Sequence, residues 1–464
     1  LAGRTSPGGV SLTVAVGAPQ APQASSSRTG RLHPWHHRSF SLPSLTWASP
    51  SPHGGRRGRY MRLAPAFRRV YYSHDTIGPR NEMTFSVGVL GFPFAAKVWG
   101  GISWATFRTV DALSRTFPDD VFYIVLHEEV PTGFGASTLG GLLEDRENMT
   151  KVVVPRGSEA ARWCEDHTDV LWGPASGVLG SRRLPEVFTH HDMRMFGPLR
   201  ESWGHYIRHR AGLGKAMKTA KVAVAVSPNT RKEMLEHYRS ARYARKTCTI
   251  PWGVPAGFPD PGGVEPLRPD FIEGDRFITT IYDPFPHKHM ELLERTVPLL
   301  EEHSWDLVVM GGMRGGGIDV VVDHPRVHYP GFVDYGTMPR YIRASSLFLF
   351  PSEYEGFGFP PYEAMSLGVP VLYNSRCAAL RSVIGDRAHS FSTGEGMVEV
   401  LGRLMASREE RDRFVEDGRK MAASFDWDLA ARRYMYVFQM AHAYKDRTLD
   451  FTQGDPRPPT EAIG

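Results

Sequence analysis

Short, wholly apolar runs alternating with helix-like stretches are the feature that most narrows what this chain can fold into. FSVGVLGF (85–92), VFYIVL (121–126), VVV (152–154), EVFTH (186–190) and VAVAVS (222–227) are each the size of a buried strand. Between the first two, behind a Gly100-Gly101 loop, Phe107, Val110, Leu113 and Phe117 recur on one face of a helical segment. Ser227 followed by Pro228 has the form of a helix start, a hydroxyl cap and then a residue with no amide hydrogen to satisfy. The pattern predicts an α/β fold with mainly parallel strands.

A second series, RFITTIY (276–282), WDLVVM (305–310), LFLF (347–350) and VPVLY (369–373), follows the turn-rich stretch 251–270. A chain of 464 residues that is 41% hydrophobic exceeds what one core usually serves, so two domains are expected. The boundaries read as a first domain over 67–253, a linker over 254–270 and a second domain over 271–424. A terminal helix over 425–445 carries Leu429, Tyr434, Val437 and Met440 near one face, and a polar, proline-rich tail over 446–464 is expected to fray.

Residues 1–66, rich in Ser, Pro, Gly and Arg, are expected to be disordered. Three origins fit them: a leader translated from upstream of Met61 or Met83, an organellar transit peptide, or a regulatory tail. RRVYYSHDTIG (68–78) reads as a short strand and turn. Residues 1–83 contribute a charge of +9 to the net +5, which leaves the rest at −4 with no basic stripe that calls for nucleic acid. Cys164, Cys248 and Cys377 form no ligand or disulfide spacing and read as reduced, buried thiols in a cytoplasmic protein. No apolar run approaches the ~18 residues of a membrane span. Arg208, Arg210, Lys215 and Lys218 share a helical segment that reads either as a solvated face or as a surface resting weakly on anionic lipid, at the inner side of a membrane.

The chemistry concentrates in FLFPSEYEGFGFPPYEAMSLGVPVLYNS (348–375): a buried strand, a glycine-rich loop, a short helix opening at Pro360-Pro361, a stop at Gly368, and another buried strand. Ligands of such β-α-β units sit at the carboxyl ends of the strands. Gly356 and Gly358 let backbone amides approach an anion, and the helix start adds partial positive charge. Glu363, read as lying in the first helical turn, has two oxygens that suit the paired hydroxyls of a ribose.

Glu355-GFGFPPY-Glu363, followed by Ala364-Met365 and Gly368-Val369-Pro370, resembles the signature of glycosyltransferase family four, the group 1 retaining enzymes, including polysaccharide and O-antigen mannosyltransferases. The resemblance implies a GT-B fold: two Rossmann-like, doubly wound domains facing across a cleft, with the helix containing Trp427 crossing back to the first. It further implies transfer of a hexose from a nucleoside diphosphate sugar, GDP-mannose as first choice, to a hydroxyl of a glycan or lipid-linked glycan, without metal or other cofactor. Glu355 and His191 would act on the transferred sugar and Glu363 on the ribose. Lys288, His287, Gly356, Phe357, Gly358, Phe359, Gly100 and Gly101 would hold the rest of the donor, with Phe332 and Val333 walling its base. His287 stands where similar enzymes carry arginine. In THHD (189–192) the two histidines are vicinal at a strand end, an arrangement that opposes rather than converges their rings and so disfavours a metal. The rival readings are a catalytically impaired nucleotide-sugar binder and a GT-B phosphorylase or epimerase. A nicotinamide enzyme is disfavoured because no GxGxxG follows the first strand.

Overall fold

The computed structural model describes residues 84–96, 99–130, 133–199, 202–254, 263–274, 276–312 and 320–457. The basic leader, the 68–78 segment and the middle of the expected linker lie outside them. The described residues form one compact unit built on two parallel sheets.

The first sheet contains β1 (Ser86–Leu90), β2 (Val121–Leu126), β3 (Met149–Val153), β4 (Val170–Gly173), β5 (Glu186–His190), β6 (Val222–Ala225) and β7 (Thr247–Thr249), in the order β3-β2-β1-β4-β5-β6-β7. The second contains β8 (Arg276–Tyr282), β9 (Trp305–Gly311), β10 (Val327–Gly331), β11 (Leu347–Phe350), β12 (Val371–Asn374) and β13 (His389–Phe391), in the order β10-β9-β8-β11-β12-β13. Every pairing is parallel. β6, β11 and β12 are buried throughout, which explains why they read as apolar runs rather than as alternations. Both sheets reverse strand order once, between β1 and β4 and between β8 and β11, and these switch points open crevices at the strands' carboxyl ends.

The helix Trp427–Ala443 returns from the second domain to the first, as the crossing-helix expectation requires. Its Tyr434 is fully buried against Trp172, with ring centroids 5.0 Å apart, and its hydroxyl meets Thr189 Oγ1 at 3.0 Å. Arg115 of the helix Gly101–Thr116 donates to Asp428 at 3.0 Å. One apolar core runs from the first sheet through this helix into the inner face of the second.

Two boundaries need correction. Residues 446–457 do not fray: Leu449 and Phe451 are buried, the Phe451 amide donates to Arg245 O at 2.7 Å, and Asp455 accepts from the Thr249 amide at 2.6 Å. Two apolar side chains and a carboxylate covering the open edge of β7 repay the ordering of this segment. The described end of the expected linker, 263–270, lies on the second domain, with Val264 buried and the Leu267 amide donating to Arg340 O at 3.0 Å. Among the described residues, no helix is long and apolar enough to cross a membrane.

Candidate functional site

The two crevices face each other and merge into a cleft of about 430 Å³. Its second-domain wall is made by the loops after β8 and β11, the two strands that flank the switch point. The first loop runs into a single 3-10 turn, Pro286–Lys288, rather than a full helix, and His289 leaves it in the left-handed region at φ 51°. That sharp exit directs Lys288 inward. Its ammonium donates to Glu355 Oε1 at 2.8 Å and lies 3.6 Å from Asp283 Oδ2. Burial alone would lower the Lys288 pKa; Glu355 and Asp283 outweigh it and hold the ammonium above its ordinary value. Lys288 therefore stays charged in the cleft and, with three hydrogens to give, retains donor capacity beyond Glu355.

The loop after β11 supplies Glu355 to Gly358. Gly358, the residue before the helix Phe359–Ser366, adopts φ 86°, and a Cβ there would lie 2.8 Å from a Leu380 methyl. Gly356 has a different reason: a Cβ on it would meet the His191 carbonyl oxygen at 1.9 Å, so the missing side chain permits contact between the domains. Glu363 lies in the second turn of its helix, not the first, and is only 5% exposed. It lines the cleft with Phe332, Val333, Tyr335 and Phe359.

The first domain contributes Gly101, Ile102, Trp104, His191 and Trp252. His191 Nε2 lies 2.6 Å from Pro174 O, which can only accept, so Nε2 carries the proton. Burial, reinforced by His190, pushes the His191 pKa down to about 4, and a neutral ring leaves Nδ1 as an acceptor. That nitrogen is buried and has no protein partner among the described residues.

Of the residues singled out from the sequence, Glu355, His191, Lys288, Gly356, Phe357, Gly358, Phe359, Glu363, Gly101, Phe332 and Val333 all line this cleft. His287 and Gly100 do not. His287 is buried behind the loop with its ring near Phe285, and its carbonyl accepts from the Glu353 amide at 2.8 Å, which ties the two second-domain loops together. Burial and the neighbouring Lys288 push its pKa down to about 4, so it offers no cation in place of arginine. Gly100 precedes the helix Gly101–Thr116 and its carbonyl accepts the Trp104 amide.

Residues 268–421 match the family model of glycosyl transferases group 1. The second domain belongs to the group 1 glycosyl transferases. Among curated proteins, the chain is 25% identical over 293 residues to the O-antigen chain mannosyltransferase B of Escherichia coli, covering 59% of this chain and 75% of that protein. It is 28% identical over 158 residues to the glycogen synthase of Deinococcus deserti, a stretch that is 33% of this chain and 35% of the synthase. Among solved structures, Anabaena HepE in complex with UDP and glucose aligns with a TM-score of 0.56 at 16% identity, over 78% of this chain and all of that one. Two facing Rossmann-like domains tied by a crossing helix give the chain the GT-B fold.

Four aromatics in and around the cleft were not singled out from the sequence. Trp252, in the turn-rich stretch 251–270, stacks on Phe359 with centroids 4.9 Å and planes 6° apart and packs 5.0 Å from the His191 ring. Trp104 meets Tyr335 edge-on at 4.5 Å across the domain boundary and packs edge-on against Trp99. Apolar periodicity flags none of these as cleft residues, because an aromatic facing a ligand and one facing the core look alike in sequence.

Proposed function

We propose that the protein is a retaining hexosyltransferase that moves a sugar from a nucleoside diphosphate donor, GDP-mannose foremost, to a hydroxyl of a glycan or glycolipid. The observation that carries this reading is the convergence of Lys288, Glu355, Glu363 and His191 on one interdomain cleft. As the anomeric bond breaks, negative charge gathers on the diphosphate, where Lys288 and the amides of Gly356 to Gly358 oppose it without a metal ion or other cofactor. Glu355, 2.8 Å from Lys288, faces the positive charge developing near the anomeric carbon. Glu363 takes the ribose hydroxyls, Phe332 and Val333 cover the base, and His191 accepts a sugar hydroxyl. The mannosyltransferase name of the Escherichia coli relative favours mannose; UDP in the HepE structure keeps uridine donors next in line.

The acceptor side has a feature in keeping with a lipid-linked acceptor at the inner face of a membrane. The helix Trp203–Thr219 contains no acidic residue, exposes Trp203 by 64% and Ile207 by 63%, and carries Arg208, Arg210, Lys215 and Lys218.

Steady-state kinetics test the assignment. Glu363→Ala should raise the donor KM about tenfold or more and lower kcat while the protein stays folded, since a lost bidentate hydrogen bond to a ribose is of that order. Glu355→Ala should chiefly lower kcat. Unchanged donor KM in the first variant removes the ribose assignment, and unchanged kcat in the second removes Glu355 from the chemistry.

A further inference from the structure

The residues on either side of Glu355 are held by the first domain, while Glu355 itself faces the second. Tyr354 donates its hydroxyl hydrogen to Glu233 Oε2 at 2.7 Å and accepts the Met193 amide at 2.9 Å. Glu233 is itself oriented, its other oxygen accepting from Asn229 Nδ2 at 3.0 Å one turn earlier on the helix Pro228–His237. On the far side of Glu355, the Gly356 carbonyl lies 3.2 Å from Thr230 Oγ1, which lies 3.1 Å from the His191 carbonyl. Ser227 caps this helix through the Thr230 amide, so Thr230 is fixed before it meets either carbonyl.

Glu233, Met193, Thr230 and His191 all belong to the first domain; Tyr354 and Gly356 belong to the second. Opening the cleft has to break these contacts together, and Glu355 then loses its support on both sides. Lys288 and Glu363 have no such dependence, since the loop after β8 and the helix Phe359–Ser366 are built within the second domain.

We propose that Tyr354 and Glu233, with Thr230, form an interdomain latch that positions Glu355 only when the domains close, so that donor binding and turnover are set by different parts of the molecule. They are positioning residues: they act through Glu355 and do not touch substrate. The inference rests on the reading of Glu355 as acting on the transferred sugar. It gives closure a chemical consequence, because a donor held on the second domain alone would meet a misplaced Glu355 and would be neither transferred nor wasted on water.

The test is steady-state kinetics on the full chain with Tyr354→Phe, Glu233→Ala and Glu233→Gln, each first shown to be folded by its melting temperature. Loss of a hydrogen bond to a carboxylate predicts a kcat about tenfold lower in Tyr354→Phe and Glu233→Ala with donor KM within about twofold of wild type. Glu233→Gln, which still offers Tyr354 an acceptor oxygen, should recover most of that loss. The double variant Tyr354→Phe with Glu233→Ala should be no worse than Tyr354→Phe alone, because that substitution already removes the hydrogen bond to Glu233. An active wild type in which Tyr354→Phe keeps full kcat, with or without a lower melting temperature, overturns the latch and leaves the cleft assignment standing. Equal changes in KM and kcat overturn it as well. A wild type that transfers no sugar from any nucleotide donor overturns the cleft assignment and the latch together.

Discussion

At the scale of single residues, burial sets protonation in and around the cleft. Lys288 keeps its charge because two carboxylates compensate for desolvation, while His190, His191 and His287 are held neutral, with pKa values pushed down to about 3, 4 and 4. An unfolded histidine takes up a proton near pH 6.5, whereas these folded ones resist until well below that, so acid favours the unfolded chain. Stability should be complete above about pH 6.5 and fall as the pH drops toward 4. Asp120, raised to about 6 by burial, opposes the trend over part of the same range, as do Glu186 and Glu233, raised by burial, and His289, which burial would lower but Glu291 and Glu353 raise; His237 and His389, lowered by burial, reinforce it. Melting temperatures measured from pH 7.5 to 5 should therefore decline, and a flat or rising profile toward acid would contradict the buried, neutral assignment. Legibility at this scale was uneven. The glutamates and the glycines after β11 stood in one recognisable string, but the partner of Tyr354 lies 121 residues away. Nothing local marks Glu233, and Gly356 serves a contact with His191 that only the assembled domains create.

At the scale of elements, the long apolar runs predicted their strands, and the strands that escaped notice have physical reasons for doing so. β7 and β13 are three residues each, too short to show a period. β10 lies at the sheet edge, its ladder is irregular between His328 and Gly331, and Pro330 within it argues against a strand unless the position is at an edge. The tail was misread because its polar composition outweighed two apolar residues whose burial decides its fate. The helix Trp203–Thr219 was legible as basic, but the exposure of Trp203 and Ile207 was not, since i and i+4 apolar residues ordinarily point to a core. If that helix rests on a membrane, the full chain should cosediment with vesicles containing phosphatidylglycerol and far less with phosphatidylcholine alone. Replacing Trp203 and Ile207 by Ala should weaken binding about tenfold, as partial burial of two apolar side chains implies. Equal binding of wild type and double variant would make the face a solvated one.

At the scale of the whole molecule, two sheets with switch points facing each other define where a ligand sits, and the crossing helix keeps them facing. The second domain brings Lys288, Glu355 and Glu363, the first brings His191 together with Glu233 and Thr230, and neither half contains all of them. The account stands on a nucleotide sugar occupying this cleft. The most direct measurement is the thermal shift of the full chain with about 1 mM GDP-, UDP- and ADP-sugars, wild type beside Glu363→Ala, because a ligand at 100 times its Kd adds about 2.7 kcal/mol. The account predicts that one class of donor raises the wild-type melting temperature and that the Glu363→Ala protein, folded, shows little or no rise. No shift with any donor, or an equal shift in both proteins, would contradict it.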